Sequence, residues 1–183
     1  MKAMRLRFLL LIAAAAFVCL TAATARNYAS NGGKYQKPAE NALCKISAYV
    51  IDRDPAGLNV RSGPSSTSSV VSKLAHADEG PIVTIVGSNG KWMLIDSAES
   101  IDSEEIFKGR GWVYGLLLGT STRYKVNVRK EPKLKSQVMG IISAEEEVKL
   151  TGCKGGWARI QYGNLEGWIE PESQCPNPVT TCP

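Results

Sequence analysis

A serine or cysteine nucleophile needs a base beside it, most often a histidine. This chain of 183 residues holds one histidine, His76, within LAHADEG. That stretch reads as a turn between strands, so His76 is expected to be an exposed loop residue. Asp96, Glu99, Asp102, Glu104 and Glu105 crowd into DSAESIDSEEIFKG. They read as a long, solvated acidic loop, and the glycine-containing spacing of an EF-hand is absent. A two-carboxylate hydrolase leaves no local spacing to search for, but here the acids gather in one place. Neither phosphate-binding pattern, G-x-x-x-x-G-K-S/T or G-x-G-x-x-G, occurs. The expectation is a protein with no catalytic set, no cofactor and no metal, and hence no enzyme.

Binding chemistry is better represented. Trp92, Trp112, Trp157 and Trp168 each admit two readings: a large apolar body for a core, or a ring face for stacking on sugar or proline. Tyr49, Tyr114 and Tyr162 are expected at rims, where a hydroxyl is easily satisfied. Arg61 and Arg129 either anchor their own loops through backbone carbonyls or meet an anionic ligand. These nine residues are the candidate ligand-binding set.

The elements that would position them occur twice. LNVRSGP (Leu58 to Pro64) returns as VNVRKEP (Val126 to Pro132) at an offset of 68. Asn59, Val60, Arg61, Pro64, Ser68 and Val70 meet identical residues at Asn127, Val128, Arg129, Pro132, Ser136 and Val138. Further on, GKW (Gly90 to Trp92) matches GGW (Gly155 to Trp157), and GWV (Gly111 to Val113) matches GWI (Gly167 to Ile169). Four landmarks in one order make a repeat. Within each copy, Leu58 and Val60 alternate with Asn59 and Arg61, and IVTIV and VKL occupy matching strand positions. WARIQY runs into Gly163-Asn164, a hairpin turn, and returns as LEGWIE. Several short strands joined by tight turns predict a small β-barrel per copy. The copies differ between their tryptophans: Trp92 to Trp112 spans 20 positions and Trp157 to Trp168 spans 11, so the acidic loop is assigned to the first barrel. The connection GLLLGTSTRY is too apolar for a free linker and is expected to pack where the barrels meet.

The amino terminus is a different kind of segment. Lys2, Arg5 and Arg7 precede the apolar run Phe8 to Leu20, and Ala23-Thr24-Ala25 supplies small residues for cleavage. This predicts a signal peptide over 1–25 and an exported protein, periplasmic or secreted. No later stretch is apolar enough to span a bilayer, so no integral membrane span is expected after cleavage. The formal charge of +5 loses three positives with that segment, leaving about +2. No basic run with interleaved aromatics suggests a nucleic-acid groove, so no nucleic-acid partner is expected. Four cysteines remain: Cys44, Cys153, Cys175 and Cys182. In an oxidising compartment they predict two disulfides, with three pairings open. One use of a bridge is to pin the tail CPNPVTTC onto the second barrel near Cys153.

GLNVRSGPSS, an apolar strand, G-x-W and then GWV resemble the bacterial SH3 (SH3b) domain, and both copies carry the pattern. The second copy departs at Lys130-Glu131, where the first has Ser62-Gly63. The resemblance implies an all-β chain: two tandem SH3-like barrels of about five strands each, in an exported bacterial protein. It also implies binding to peptidoglycan or an envelope protein. The expected layout is a signal peptide (1–25), a flexible segment (26–43), a first SH3b domain (44–119), a second (120–174) and a Cys/Pro-containing tail (175–183). The functional expectation is a non-enzymatic exported binding protein for peptidoglycan or another envelope component. The alternative is a protein–protein adaptor or a regulatory partner of an envelope enzyme.

Overall fold

The alternation of apolar and polar residues that marks the repeat becomes, in a computed structural model, a chain of short strands. The structure describes residues 42–180 and 182. The expected signal peptide and nearly all of the 26–43 segment lie outside the described residues. In chain order the strands are β1 (Ala42–Val50), β2 (Leu58–Arg61), β3 (Val70–Leu74), β4 (Ile82–Asn89), β5 (Trp92–Glu99), β6 (Glu105–Tyr114) and β7 (Leu118–Thr122). They continue as β8 (Val126–Arg129), β9 (Val138–Ile142), β10 (Glu147–Lys154), β11 (Trp157–Tyr162), β12 (Leu165–Ile169) and β13 (Gln174–Cys175). Two 3-10 turns, Gly115–Leu117 and Pro171–Ser173, precede β7 and β13. The fold is all-β, with no α-helix among the described residues.

The sheet order states the repeat. It runs β3-β2-β6-β5-β4-β1 and then β7-β10-β11-β12-β8-β9, with β13 beside β7. Read outward from the β1–β7 seam, each half lists its strands in the same sequence. The seam is antiparallel, with Tyr49 opposite Gly119 and Val50 opposite Leu118. The connection GLLLGTSTRY thus forms a 3-10 turn and a strand that lies at the junction, pairing with β1 on one side and β10 on the other. Its two threonines are accommodated there because their hydroxyls find acceptors: Thr120 donates to the Cys175 carbonyl oxygen at 2.9 Å and Thr122 to that of Ser143 at 2.6 Å.

The inward residues predicted by alternation form the core. Leu58, Val60, Val113 and Met93 fill it in the first half, and Val126, Val128, Ile160 and Ile169 in the second. These belong to one continuous buried cluster, and the described residues sit in one compact unit. The halves therefore share a core through the seam, which suits copies near the size limit for independent folding.

Two expectations are corrected here. The acidic stretch is not a long loop. Its residues lengthen β5 and β6, which stay paired out to Glu99 and Glu105, and only residues 100–104 form the turn. A bulge between Ile95 and Ser97 keeps Ala98 buried opposite the partly covered Phe107, so pairing continues instead of looping out. The cysteines also pair differently from a bridge between Cys153 and the tail. Cys44 bonds Cys153 across the two halves, 109 residues apart, and Cys175 bonds Cys182 within the tail. The cause is local: Gly155 at the end of β10 exchanges backbone bonds with β1, accepting from Lys45 N and donating to Leu43 O, both at 2.8 Å, which brings Cys44 beside Cys153. Ser88 reinforces the place, its Oγ accepting from Cys153 N at 3.2 Å and donating to Cys153 O at 3.1 Å.

Candidate ligand-binding clefts

The arginines of the repeated phrase share one local arrangement. Each ends a short strand and precedes a turn that must return to the next strand. Arg61 Nη1 donates to the Ser68 carbonyl oxygen at 2.8 Å, and Arg129 Nη1 to that of Ser136 at 3.2 Å. Backbone bonds close the same loops, Ser62 N to Ser69 O and Lys130 N to Gln137 O, both at 2.9 Å. Of the two readings, loop anchoring is the one the geometry displays, and the Lys130-Glu131 departure does not alter it.

Cross-strand register places the tryptophans. Arg61 stands opposite Trp112, which stands opposite Leu94. Trp92 stands opposite Tyr114 one step along the same face, with ring centroids 5.4 Å apart and planes at 56°. In the second half Arg129 stands opposite Trp168, which stands opposite Arg159. The residue after Ile169 is Glu170, where the first half has Tyr114 after Val113. Trp92 and Trp157 are both half-buried, and each opens its strand directly after a tight turn through a glycine of positive φ, Gly90 at 56° and Gly155 at 57°. Glycine suits that left-handed position because it has no Cβ to clash.

Trp92 and Tyr114 line a cleft of about 660 Å³ together with Arg61, Asn59 and Pro64. That volume lies within the range of small-ligand sites. The β1–β2 loop contributes Asp52 and Asp54 to its wall. In the second half Trp157 lines a hollow of about 500 Å³ with Lys133, Leu134, Lys135 and Glu170. Trp157 also borders an adjoining hollow of about 880 Å³, walled by Leu43, Pro132 and Lys154.

Of the nine expected binding residues, Arg61, Trp92 and Tyr114 come together. Trp157 occupies the equivalent place in the other half. Arg129 and Trp168 stand opposite each other, half-buried, and line neither the Trp92 cleft nor the hollows beside Trp157. Two residues are corrected. Tyr49 is not at a rim but only 4% exposed, because β7 covers it. A side chain on Gly119 would meet the Tyr49 ring at 3.2 Å, so glycine permits that close approach. Its hydroxyl bonds Ser121 Oγ at 2.9 Å and donates to Glu147 at 3.4 Å. Burial pushes the Tyr49 phenol above its ordinary value, the Ser121 bond opposes this, and Glu147 adds to it. Trp112 is likewise covered, between Leu94 and Arg61 on neighbouring strands. Tyr162 is exposed as expected but stands apart from the clefts, donating to Glu146 at 2.8 Å. That bond to a carboxylate, first among the causes, raises its phenol pKa. His76 is an exposed loop residue.

Residues that pattern reading did not single out are Asp52, Asp54, Lys133 and Lys135. The signal available was IDRDPAG itself: aspartates before proline and glycine form local turns. Asp52 Oδ1 accepts from Asp54 N at 3.2 Å and Asp54 Oδ1 from Ala56 N at 2.9 Å, which is that turn chemistry.

Comparison with known proteins finds partial matches. Residues 125–173, from the start of β8 to the last 3-10 turn, match the bacterial SH3 domain family. Over 131 residues the chain is 24% identical to "Putative N-acetylmuramoyl-L-alanine amidase YrvJ" of Bacillus subtilis (strain 168), covering 63% of this chain and 23% of that protein. The chain thus spans under a quarter of that relative's length. Solved structures with partial likeness include NlpC2 and NlpC1 of Trichomonas vaginalis, each 16% identical. Their TM-scores are 0.30 and 0.31, with 75% of this chain covered in both and 49% and 48% of those chains.

Proposed function

We propose that this is an exported, non-enzymatic binding protein with two tandem SH3b modules. Each module would recognise peptidoglycan or another cell-envelope component through its tryptophan cleft. The observation that carries the reading is the half-buried indole at the same strand position in both halves, each bordering a cleft beside the loop after β2 or β8. A partly covered indole has a fixed orientation and a free surface, which suits stacking on sugar or peptide rings. The match to the bacterial SH3 domain family at 125–173 and a relative named as a muramoyl-alanine amidase support a wall ligand. The repeated strand order and repeated arginine bonds support taking the first half as a second module. Two disulfides suit an oxidising compartment outside the cytoplasm. Two modest sites in one compact unit reinforce each other by raising effective concentration, provided one ligand reaches both.

Co-sedimentation with purified sacculi tests the reading. The wild-type chain should pellet at low salt, and Trp92→Ala with Trp157→Ala together should reduce retention about tenfold. Absence of retention at low salt removes the wall ligand. Clearing of wall substrate in a zymogram removes the non-enzymatic part.

A second reading, a protein adaptor, is favoured by the sheet ends. β3 and β9 terminate the strand order, and Val70, Val71, Val138, Met139 and Ile141 are exposed on them. Unpaired edges accept an added strand. Crosslinking to one stoichiometric protein, with no retention on glycan, would select this reading.

A further inference from the structure

The repeat does not explain one difference between the clefts. The link from β1 to β2 spans residues 51–57, whereas the matching link from β7 to β8 spans only residues 123–125. The longer link carries Asp52 and Asp54 into the wall of the Trp92 cleft. Each aspartate uses one carboxylate oxygen to accept a backbone N–H within its own turn, which holds the carboxylates in place. Neither is in an ion pair among the described residues. The cation in the cleft lining, Arg61, is tied to the Ser68 carbonyl. Two turn-held carboxylates therefore line one open cleft together with a tilted pair of half-buried aromatic rings. Asn59 lines the same cleft with its Oδ1 buried and unpartnered, an unmet demand for a donor.

We propose that this cleft receives an alkylammonium group, the side-chain amine of a peptide, held between the Asp52 and Asp54 carboxylates and the Trp92–Tyr114 rings. The proposal rests on the reading that the cleft binds envelope material, and it names the chemistry selected there. An ammonium gains from carboxylates by charge and from indole and phenol faces by the ring quadrupole. The second half lacks this combination. It lacks the longer link, has no aromatic ring at the position of Tyr114, and sets Lys133 and Lys135 beside Trp157, where they offset the Glu170 and Glu172 carboxylates of the same hollow. An amine should thus choose the first half, and Trp157 serves as an internal control.

The test is a titration of the full chain followed by the indole and ring signals in NMR. Nα-acetyl-L-lysine amide presents one ammonium; Nα,Nε-diacetyl-L-lysine amide presents none. The ammonium probe should move Trp92 and Tyr114 saturably and leave Trp157 in place. The diacetyl probe should give no saturable shift. Asp52→Asn with Asp54→Asn keeps the turn-forming Oδ1 acceptors and should weaken the ammonium probe at least tenfold. Equal response to both probes, equal affinity in the double variant, or no saturable shift at Trp92 each overturns the proposal. Sacculi separate this outcome from the broader reading. Retention that survives acetylation of sacculus amines leaves wall binding intact and removes the ammonium site. If sacculi retain nothing at all, wall binding fails, and the soluble-probe titration still decides the site.

Discussion

The Arg61 guanidinium reaches back over its own loop to the Ser68 carbonyl oxygen, 2.8 Å from Nη1, and the second half repeats the bond between Arg129 and Ser136. A charged donor to a partly covered carbonyl contributes on the order of 1–2 kcal/mol. Arg61→Ala should lower stability by about that amount in urea unfolding. It should also speed hydrogen exchange at Ser62, whose N–H closes the same loop onto Ser69. Unchanged stability and unchanged exchange would return Arg61 to the role of a ligand contact alone.

The two disulfides should differ in worth. In the chain-entropy account, a bridge stabilises by restricting the unfolded chain, more so for longer loops. Cys44–Cys153 closes a separation of 109 residues and Cys175–Cys182 one of 7. The expected contributions are about 5 and about 2.5 kcal/mol respectively. Cys44→Ala with Cys153→Ala should therefore depress Tm well beyond Cys175→Ala with Cys182→Ala. The reverse order would mean that the seam holds the halves together without the bridge.

Tyr49 links the halves through its hydroxyl, and burial raises its pKa above the ordinary value near 10.0. A raised folded pKa leaves the stabilisation whole below the unfolded value. It is lost as pH climbs from about 10 through the folded pKa, because the unfolded chain then gives up its proton more readily. Tyr49→Phe should cost about 1 kcal/mol near neutrality, from the lost Ser121 bond. The gap between wild type and variant should close above pH 10. Parallel stability curves through that window would contradict the assigned burial.

Much of this architecture is legible in the sequence, for reasons that can be named. Offset repetition exposes β2 and β8, because strand alternation and a following proline leave little freedom in composition. Gly163-Asn164 marks the β11–β12 hairpin because only a few residues fit such a turn. The seam is far harder to read. Leu118, Gly119 and Thr120 are all buried, so β7 shows no alternation, and its threonines look like linker residues until their backbone acceptors are known. Tyr49 is hidden for the same reason: nothing near it in sequence reveals that Gly119 lets β7 cover its ring. The cysteine pairing follows from that seam and is equally invisible locally. In the clefts, Trp92, Tyr114 and Arg61 can be selected by type. Asp52 and Asp54 cannot, because their turn chemistry looks complete without a ligand.

The most direct test of a tryptophan-cleft binding protein is to add solubilised peptidoglycan fragments to the full chain and follow the four indole N–H signals. The account predicts that Trp92 and Trp157 shift saturably while covered Trp112 and the arginine-flanked Trp168 stay nearly still. Binding that leaves Trp92 and Trp157 unmoved, or a chain whose indoles ignore the fragments altogether, would contradict it.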